Sequence, residues 1–480
     1  MNLLTEYIDS VIEGRHPRSD VQVIHDIETG ERVSITDLAR MVVDKSELLK
    51  SGLSGRSARP VLIKLDKRLD YVVNFLSVIY AGFVAVPVAD EWNELVADAI
   101  MERLNPVALL VDSNVEYLDG IAESVFVFME DENVVLHSSG TTNTPKSIIH
   151  SVDSMIGNAN AMSERLSITD KDRHLVVLPL NHAHALGFGL LSSLMNGASV
   201  YLGQFSTPAR WASMVREFGI TVTSLVPPMV SLINQSKAGL TLEGDNILDL
   251  RFVLISSAAL PASDARKFLA STGVPIVHGW GQSELSNFVT CTGVIADLDR
   301  VTKSSLLSVG APITGCSVDV EGKESSPGEI KVSSLYAAKR IVTDKGEISI
   351  SDYHNTGDLG FTDGPDLFVQ GRNDDIIIKG SLKYSPLFLE EHISDQVDSI
   401  KQVVVFSDKD GSPDQPVYVY VVPLSSQSDD AKKIQMGVRK AMARYFIPNR
   451  IIVGDEERIP MTHTGKLQRN KMTSILRDQL

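Results

Sequence analysis

Between about residues 60 and 290, short apolar runs alternate with stretches patterned for helices: VLIKL, FVAVPV, VALLV, VVLHSS, HLVVLPL, ASVYLG, VTSLV and FVLISS. Such runs, bounded by turn-forming residues, read as buried strands, and strands interleaved with helices form a largely parallel sheet with helices packed on it. A layered α/β domain is the expectation. Several runs end in Gly, Ser or Thr, which matters because open α/β sheets place ligand loops at the carboxyl ends of their strands. From about 305 to 372 the pattern changes to short strands and turns (SVDVEGKESSPGEIKVSS, DLFVQGRNDD), the mark of a small β-rich subdomain. After Arg372 a compact α+β unit is expected: IIIKG, a helix near Pro386–Val397, strands VVVF and VYVYVV, a helix over Asp430–Arg444 and a short strand RIIVG.

A chain of 480 residues has room for about two to four such units. Lys+Arg 45 against Asp+Glu 61 leaves a net charge of −16, which argues against a general nucleic-acid or anionic-membrane binder. The charge is uneven: residues 375–480 carry fifteen Lys/Arg and fourteen Asp/Glu, or +1, and the first 374 residues carry −17. The two cysteines, Cys291 and Cys316, have no C-x-x-C or Cys/His spacing, so neither a disulfide framework nor a structural zinc site is expected and a reducing cytoplasm fits. The opening MNLLTEYIDSVIEGR has Glu6 and Asp9 inside its apolar pattern and reads as an amphipathic helix, not a secretory signal. Two uncharged stretches, Tyr71–Ala89 and Ala185–Ala209, are interrupted by Gly82 and Pro87 and by Asn196-Gly197 and Pro208; each reads as helix, turn and buried strand, with no integral membrane segment.

Five motifs carry the chemistry. In LHSSGTTNTPKSIIHS, residues 136–151, Gly140 and small hydroxyl residues let backbone amides approach a phosphate. Ser138, Ser139, Thr141 and Thr142 add donors, and Lys146 adds charge. Pro145 stands where a Walker A loop requires Gly, and alone the segment is equally a polar surface turn. In GWGQSE, 279–284, Trp280 offers a flat face for adenine, or plain core; Ser283 offers a hydroxyl and Glu284 a hard oxygen ligand for Mg²⁺. Leu285 in GQSEL replaces the last Gly of G-x-S-x-G, which argues against a serine hydrolase. Asp358 in YHNTGDLG, 353–360, suits a vicinal diol or an Asx-turn, and Arg372 in GRNDDIIIKG, 371–380, suits a ribose or phosphate contact. Lys466 in THTGKLQR, 462–469, taken alone is a solvated surface lysine. His182 and His184 have strand spacing for two metal ligands but no carboxylate at matching spacing.

Taken in this order, the five motifs resemble those of the adenylate-forming superfamily of acyl-CoA synthetases, nonribosomal peptide adenylation domains and luciferases. LPLNHAHALG, LRFVLISSAALP, SVGAPITG, SPGEIKV and YFIPNRI extend the resemblance over nearly all the chain from about Ser34. The resemblance implies an N-terminal adenylation (AMP-binding) domain over 1–373, a mobile C-terminal domain over 374–480 hinged at Asp374, and an active site between them. It implies that Ser138, Ser139, Gly140, Thr141, Thr142 and Lys146 hold phosphates, and that Ser257, Ala258, Gly279, Trp280, Gly281 and Ser283 line the nucleotide site. Trp280 would stack on adenine, Glu284 bind Mg²⁺, and Asp358 with Arg372 hold the ribose. Lys466 would enter the site for the first half-reaction and stabilise charge between carboxylate and α-phosphate. His182 matches the histidine that acyl- and aryl-acid enzymes place beside the carboxylate, and His184 falls where amino-acid-activating members carry Asp.

The implied reaction consumes ATP and a carboxylic acid to give an acyl-adenylate, then transfers the acyl group to coenzyme A. The alternatives are an acyl or peptidyl carrier protein's phosphopantetheine, or an amine; a non-catalytic nucleotide-binding protein of the same fold is the reading from another class. The expected acyl pocket includes His182, Ser224–Val230, Ser256, Gln282 and Asn287. Departures from the family pattern are Asn143 and Ser147, where glycines are usual in the phosphate loop, and Ser256-Ser257 in place of a Gly pair beside adenine. These side chains are expected to narrow the nucleotide site.

Overall fold

The alternation of strands and helices resolves into two large sheets with helices between and outside them. The structure, a computed structural model, describes residues 2–16, 22–55, 58–64, 68–89, 92, 94–118, 127–138, 145–236, 249–303, 306–324, 326–350, 353–379, 382–408, 414–424, 430–461 and 467–479. In the first sheet Ala108–Val111, Pro60–Lys64, Val84–Val88 and Val134–Ser138 run parallel; Asn114–Tyr117 on one side and Lys146–His150, Arg340–Thr343 and Gly346–Ser349 on the other extend it antiparallel. In the second, Val23–Asp26, Ser199–Leu202, Arg173–Val176, Val222–Leu225, Phe252–Ile255 and Ile276–Trp280 run parallel between antiparallel edges.

The helices Leu3–Ile12, Ile35–Gly52, Arg68–Tyr80 and Val152–Leu166 share one core with strand residues of both sheets, among them Ile24, Val61, Ile63, Val134 and Val200. A helix gripped from two sides must be apolar nearly all round. That is why Arg68–Tyr80, buried from Leu69 through Ile79 except at Asp70, resembles half of a membrane span. It ends in a turn at Gly82 (φ +83°) and leads into Val84–Val88. The second uncharged stretch likewise divides into the helical residues His184–Met195, a turn at Gly197 (φ +77°) and the strand Ser199–Leu202. Among the described residues no helix is long and apolar enough to cross a membrane. Helices Pro208–Glu217, Pro227–Gln235 and Ala262–Thr272 cover the outer face of the second sheet, and Glu94–Leu104 covers that of the first.

The β-rich stretch divides in a way its local pattern does not announce. Cys316–Asp319, Gly328–Ser334, His354–Asp363 and Asp366–Arg372 form a four-stranded antiparallel sheet. The intervening hairpin, Arg340–Thr343 and Gly346–Ser349, leaves it and pairs with Lys146–His150 in the first large sheet, where Ile341 and Val342 are buried. Beyond residue 375 the sheet Ile400–Ser407, Val417–Pro423 and Arg450–Val453 shows its period of two in its packing. Val403, Val405, Val419 and Val421 face helices Pro386–Gln396 and Asp430–Met442; Val404, Phe406, Tyr420 and Val422 face Met472 and Leu476. The helix Pro386–Gln396 starts where it does because the Ser385 hydroxyl accepts from Phe388 N and Pro386 follows at the first helical position.

Candidate active site

A cleft of about 3090 Å³ opens at the carboxyl ends of the parallel strands. Its walls are the end of Val134–Ser138 with Pro145 and Lys146, the loops after Arg173–Val176, Val222–Leu225, Phe252–Ile255 and Ile276–Trp280, together with His354–Asp358, Arg372 and residues beyond 374 such as Glu390 and Arg469. Among the described residues, the structure brings Ser138, Lys146, His182, Ser257, Ala258, Gly279, Trp280, Gly281, Ser283, Glu284, Asp358 and Arg372 to this one cleft. Ser139, Gly140, Thr141, Thr142, Asn143 and Lys466 lie outside the described residues.

The floor of the cleft is organised by Asp358, whose residue surface is only 7% exposed. Trp280 Nε1–H donates to its Oδ2 at 3.0 Å and Gln282 Nε2–H to the same oxygen at 3.1 Å. Arg372, its register partner on the neighbouring strand, brings Nε to 3.2 Å from Oδ1. A buried carboxylate demands such compensation. Gly357 precedes it at φ +70°, and a Cβ there would come within 3.2 Å of Arg372 Nη2, so glycine fits both the backbone and the guanidinium. Gln282 was expected only as an acyl-pocket residue. Gln282 is a bridge: Nε2 also donates to Thr356 O at 2.8 Å, and Oε1 accepts from His354 Nε2 at 3.1 Å.

The turn after Trp280 is equally constrained. A Cβ on Gly281 would lie 1.7 Å from Asn287 O, so only glycine allows the chain to fold back here. The turn presents Glu284, whose carbonyl accepts from Ala338 N at 2.9 Å and whose Oε1 stands 3.9 Å from Lys146 Nζ. Lys146 is the register partner of Ser138 across the hairpin that carries the phosphate-loop motif. Among the described residues no group of three His, Cys, Asp or Glu could hold a metal. A lone Glu284 nevertheless suits Mg²⁺, which keeps several waters and binds through one or two carboxylates plus substrate phosphates.

His182 and His184 also line the cleft. His182 lies half-buried in a loop held by Tyr71, whose hydroxyl donates to Leu180 O at 3.1 Å, and by Arg68, whose Nη1 is 3.3 Å from Val176 O. His184 begins a stretch with wide, π-type turns, a feature that recurs at functional sites. Burial pushes its pKa down to about 3, so the imidazole is neutral at pH 7. Its Nδ1 is 3.4 Å from Ser257 Oγ and its Nε2 has no partner among the described residues. Ser257 sits at φ +74°, which explains why a glycine is usual at this position and shows that serine holds the left-handed conformation here. Of the expected acyl-pocket run, Val226, Pro227, Pro228 and Met229 line the cleft, whereas Leu225 and Val230 point into the core behind it and Ser224 is buried away from the cleft wall.

The expectation that Ser147 would crowd the nucleotide is corrected. Ser147 is fully buried on the outer side of its strand, where its hydroxyl accepts from Arg103 at 3.0 Å. At the far side of the cleft Asp374 is exposed, and Arg469 is held by a bidentate ion pair to Glu390, with Asp375 3.9 Å from its Nε.

Parallel-strand loops converging on a buried carboxylate, with a lysine facing an acid, fit a nucleotide-binding enzyme of the α/β class. The family of AMP-binding enzymes matches residues 123–341 and the C-terminal domain of AMP-binding enzymes matches 391–466. The chain belongs to this adenylate-forming superfamily. It is 25% identical over 471 residues to a probable CoA ligase, CCL9, of Humulus lupulus (88% of this chain, 87% of that protein) and 24% identical over 453 residues to an oxalate–CoA ligase of Arabidopsis thaliana (85% and 87%). In fold it is similar to the anthranilate CoA ligase AuaEII in complex with anthranoyl-AMP, with TM-score 0.81, 21% identity and coverage of 99% and 98% of the two chains.

The indole of Trp280 both lines the cleft and donates to Asp358, and the two contributions separate by substitution. If the indole stacks on adenine, as its motif implies, Trp280→Phe, which keeps an aromatic face, should raise the ATP KM by no more than about threefold, and Trp280→Ala by about tenfold or more, as expected from stacking worth about 1–1.5 kcal/mol plus a lost hydrogen bond. Steady-state kinetics should find the KM for the acid nearly unchanged in both.

Proposed function

We propose that this chain is an AMP-forming acid–thiol ligase acting on a carboxylic acid, ATP and coenzyme A. A carboxylate oxygen attacks the α-phosphorus of ATP and pyrophosphate leaves. The coenzyme A thiolate then attacks the acyl carbon of the adenylate and AMP leaves with the oxygen that the acid supplied. The observation that carries the reading is the Asp358 cluster: an acceptor for a ribose diol, flanked by Trp280 for adenine and Arg372 for ribose or phosphate, and set beside the Lys146–Glu284 pair. The CoA ligases among its relatives, matched over most of both lengths, support coenzyme A over a carrier protein or an amine. Two free cysteines, one of them buried Cys291, fit a reducing cytoplasm.

In this reading each motif residue has a role. Glu284 would hold Mg²⁺, which when bound neutralises phosphate charge. His182, half-buried in the cleft wall, stands beside the acid. His184 is neutral and offers no countercharge for an α-ammonium group, which supports an acid other than an α-amino acid. Lys466 supplies positive charge to the pentavalent phosphorus in the first step only, brought in by rotation of residues 374–480 about Asp374. Arg469, three residues further on, is paired with Glu390 on the helix Pro386–Gln396.

Two variants test this division of labour. Lys466→Ala should lower carboxylate-dependent pyrophosphate exchange by about 10²–10³, the size expected for a lost electrostatic contact to the transition state, while thioester formation from supplied acyl-adenylate stays within about threefold. Equal losses in both steps would refute the role. Asp374→Pro, which fixes φ at a residue that must change conformation, should spare pyrophosphate exchange and slow thioester formation. Wild-type rates in both would move the hinge elsewhere.

A further inference from the structure

Lys146 meets the cleft from a strand whose other face is gripped by one buried guanidinium. Arg103 lies in the last turn of the helix Glu94–Leu104, its side chain 7% exposed. Its Nη1 donates to Pro145 O at 2.7 Å and to Ser147 Oγ at 3.0 Å, the residues immediately before and after Lys146. Its Nη2 pairs with Asp344, in the turn between Arg340–Thr343 and Gly346–Ser349. Successive side chains on a strand point to opposite faces, so Arg103 holds the outer side and leaves the lysine on the inner side, 3.9 Å from Glu284. Burying a guanidinium is costly unless its donors are satisfied. Here one fork uses a carbonyl, a hydroxyl and a carboxylate from separate parts of the first sheet. The hydroxyl belongs to Ser147.

We propose that Arg103 is a positioning residue for Lys146, fixing the direction from which the ammonium meets the nucleotide phosphates without touching the nucleotide. The inference rests on the proposed reading of Lys146 as a phosphate contact. An arginine is required because a planar fork reaches two acceptors at once, which an ammonium cannot reproduce with the same geometry.

The test is a double-mutant cycle on Arg103 and Lys146, measured as KM for ATP, KM for the acid and kcat in carboxylate-dependent pyrophosphate exchange. Lys146→Ala should raise the ATP KM. Arg103→Lys, which keeps the charge beside Asp344, should raise it about three- to tenfold with the acid KM unchanged, as expected for one or two misdirected charge-assisted hydrogen bonds. In the Lys146→Ala background Arg103→Lys should change the ATP KM less than about twofold, because its effect passes through the lysine. If Arg103→Lys fails to fold, Ser147→Ala removes one acceptor and carries the same expectations at smaller size. If Lys146→Ala raises the ATP KM and neither Arg103→Lys nor Ser147→Ala does, the positioning role is wrong and the phosphate contact stands. The positioning role is equally wrong if the Arg103→Lys effect persists undiminished without the lysine, or if acid and ATP KM rise together. If Lys146→Ala leaves the ATP KM unchanged, the phosphate contact is wrong and the positioning role falls with it.

Discussion

A carboxylate withdrawn from water must be compensated, and the compensation of Asp358 draws together segments far apart in the chain. Trp280 and Gln282 arrive at the end of a strand of the second large sheet, and Arg372 from the adjacent strand of the four-stranded sheet. An unpaired buried charge costs several kcal/mol, and the same group within a network of charge-assisted donors costs far less. The network therefore fixes how the four-stranded sheet sits against the large one, and with it the shape of the cleft. It also holds the Asp358 carboxylate in one orientation toward the cleft.

The same logic recurs on the two other walls. Arg103 satisfies its donors on Pro145 O and Ser147 Oγ, on either side of Lys146, and Arg469 satisfies its donors on Glu390. In the proposal for Arg103, a guanidinium that does not touch the nucleotide holds the strand from which Lys146 is presented. Long, flexible lysine side chains lose entropy when they are held in one direction. Anchoring the backbone on both sides of the hairpin residue reduces the range of directions available to it and lowers that cost on binding.

Much of this was legible in the residues. The alternating runs from VLIKL to FVLISS gave the parallel strands because fully buried strands are continuously apolar, and VVVF and VYVYVV gave the C-terminal sheet, two-sided in its packing, for the same reason. The strands Val23–Asp26 and Arg32–Ser34 escaped because they are short and one is largely polar. The hairpin of Arg340–Thr343 and Gly346–Ser349 was legible as strands but not in its partner, since local alternation carries no information about a strand nearly 200 residues away. The site followed the same division. Asp358, Arg372, Trp280, Glu284 and Gln282 stand in recognisable motifs, whereas the bonds of Gln282 to Thr356 and His354, and those of Arg103, are contacts that only folding supplies. Ser147 could not be assigned a direction until its strand had a sheet.

The central claim is that the acid is activated on the α-phosphorus of ATP, and the fate of a carboxylate oxygen tests it most directly. An acid that supports thioester formation, labelled with ¹⁸O in its carboxylate, should transfer one labelled oxygen to AMP in each turnover, because the thiol breaks the acyl carbon–oxygen bond of the adenylate. Mass spectrometry of the nucleotide product reads this out. Unlabelled AMP, or label found in inorganic phosphate alongside ADP, would contradict the account.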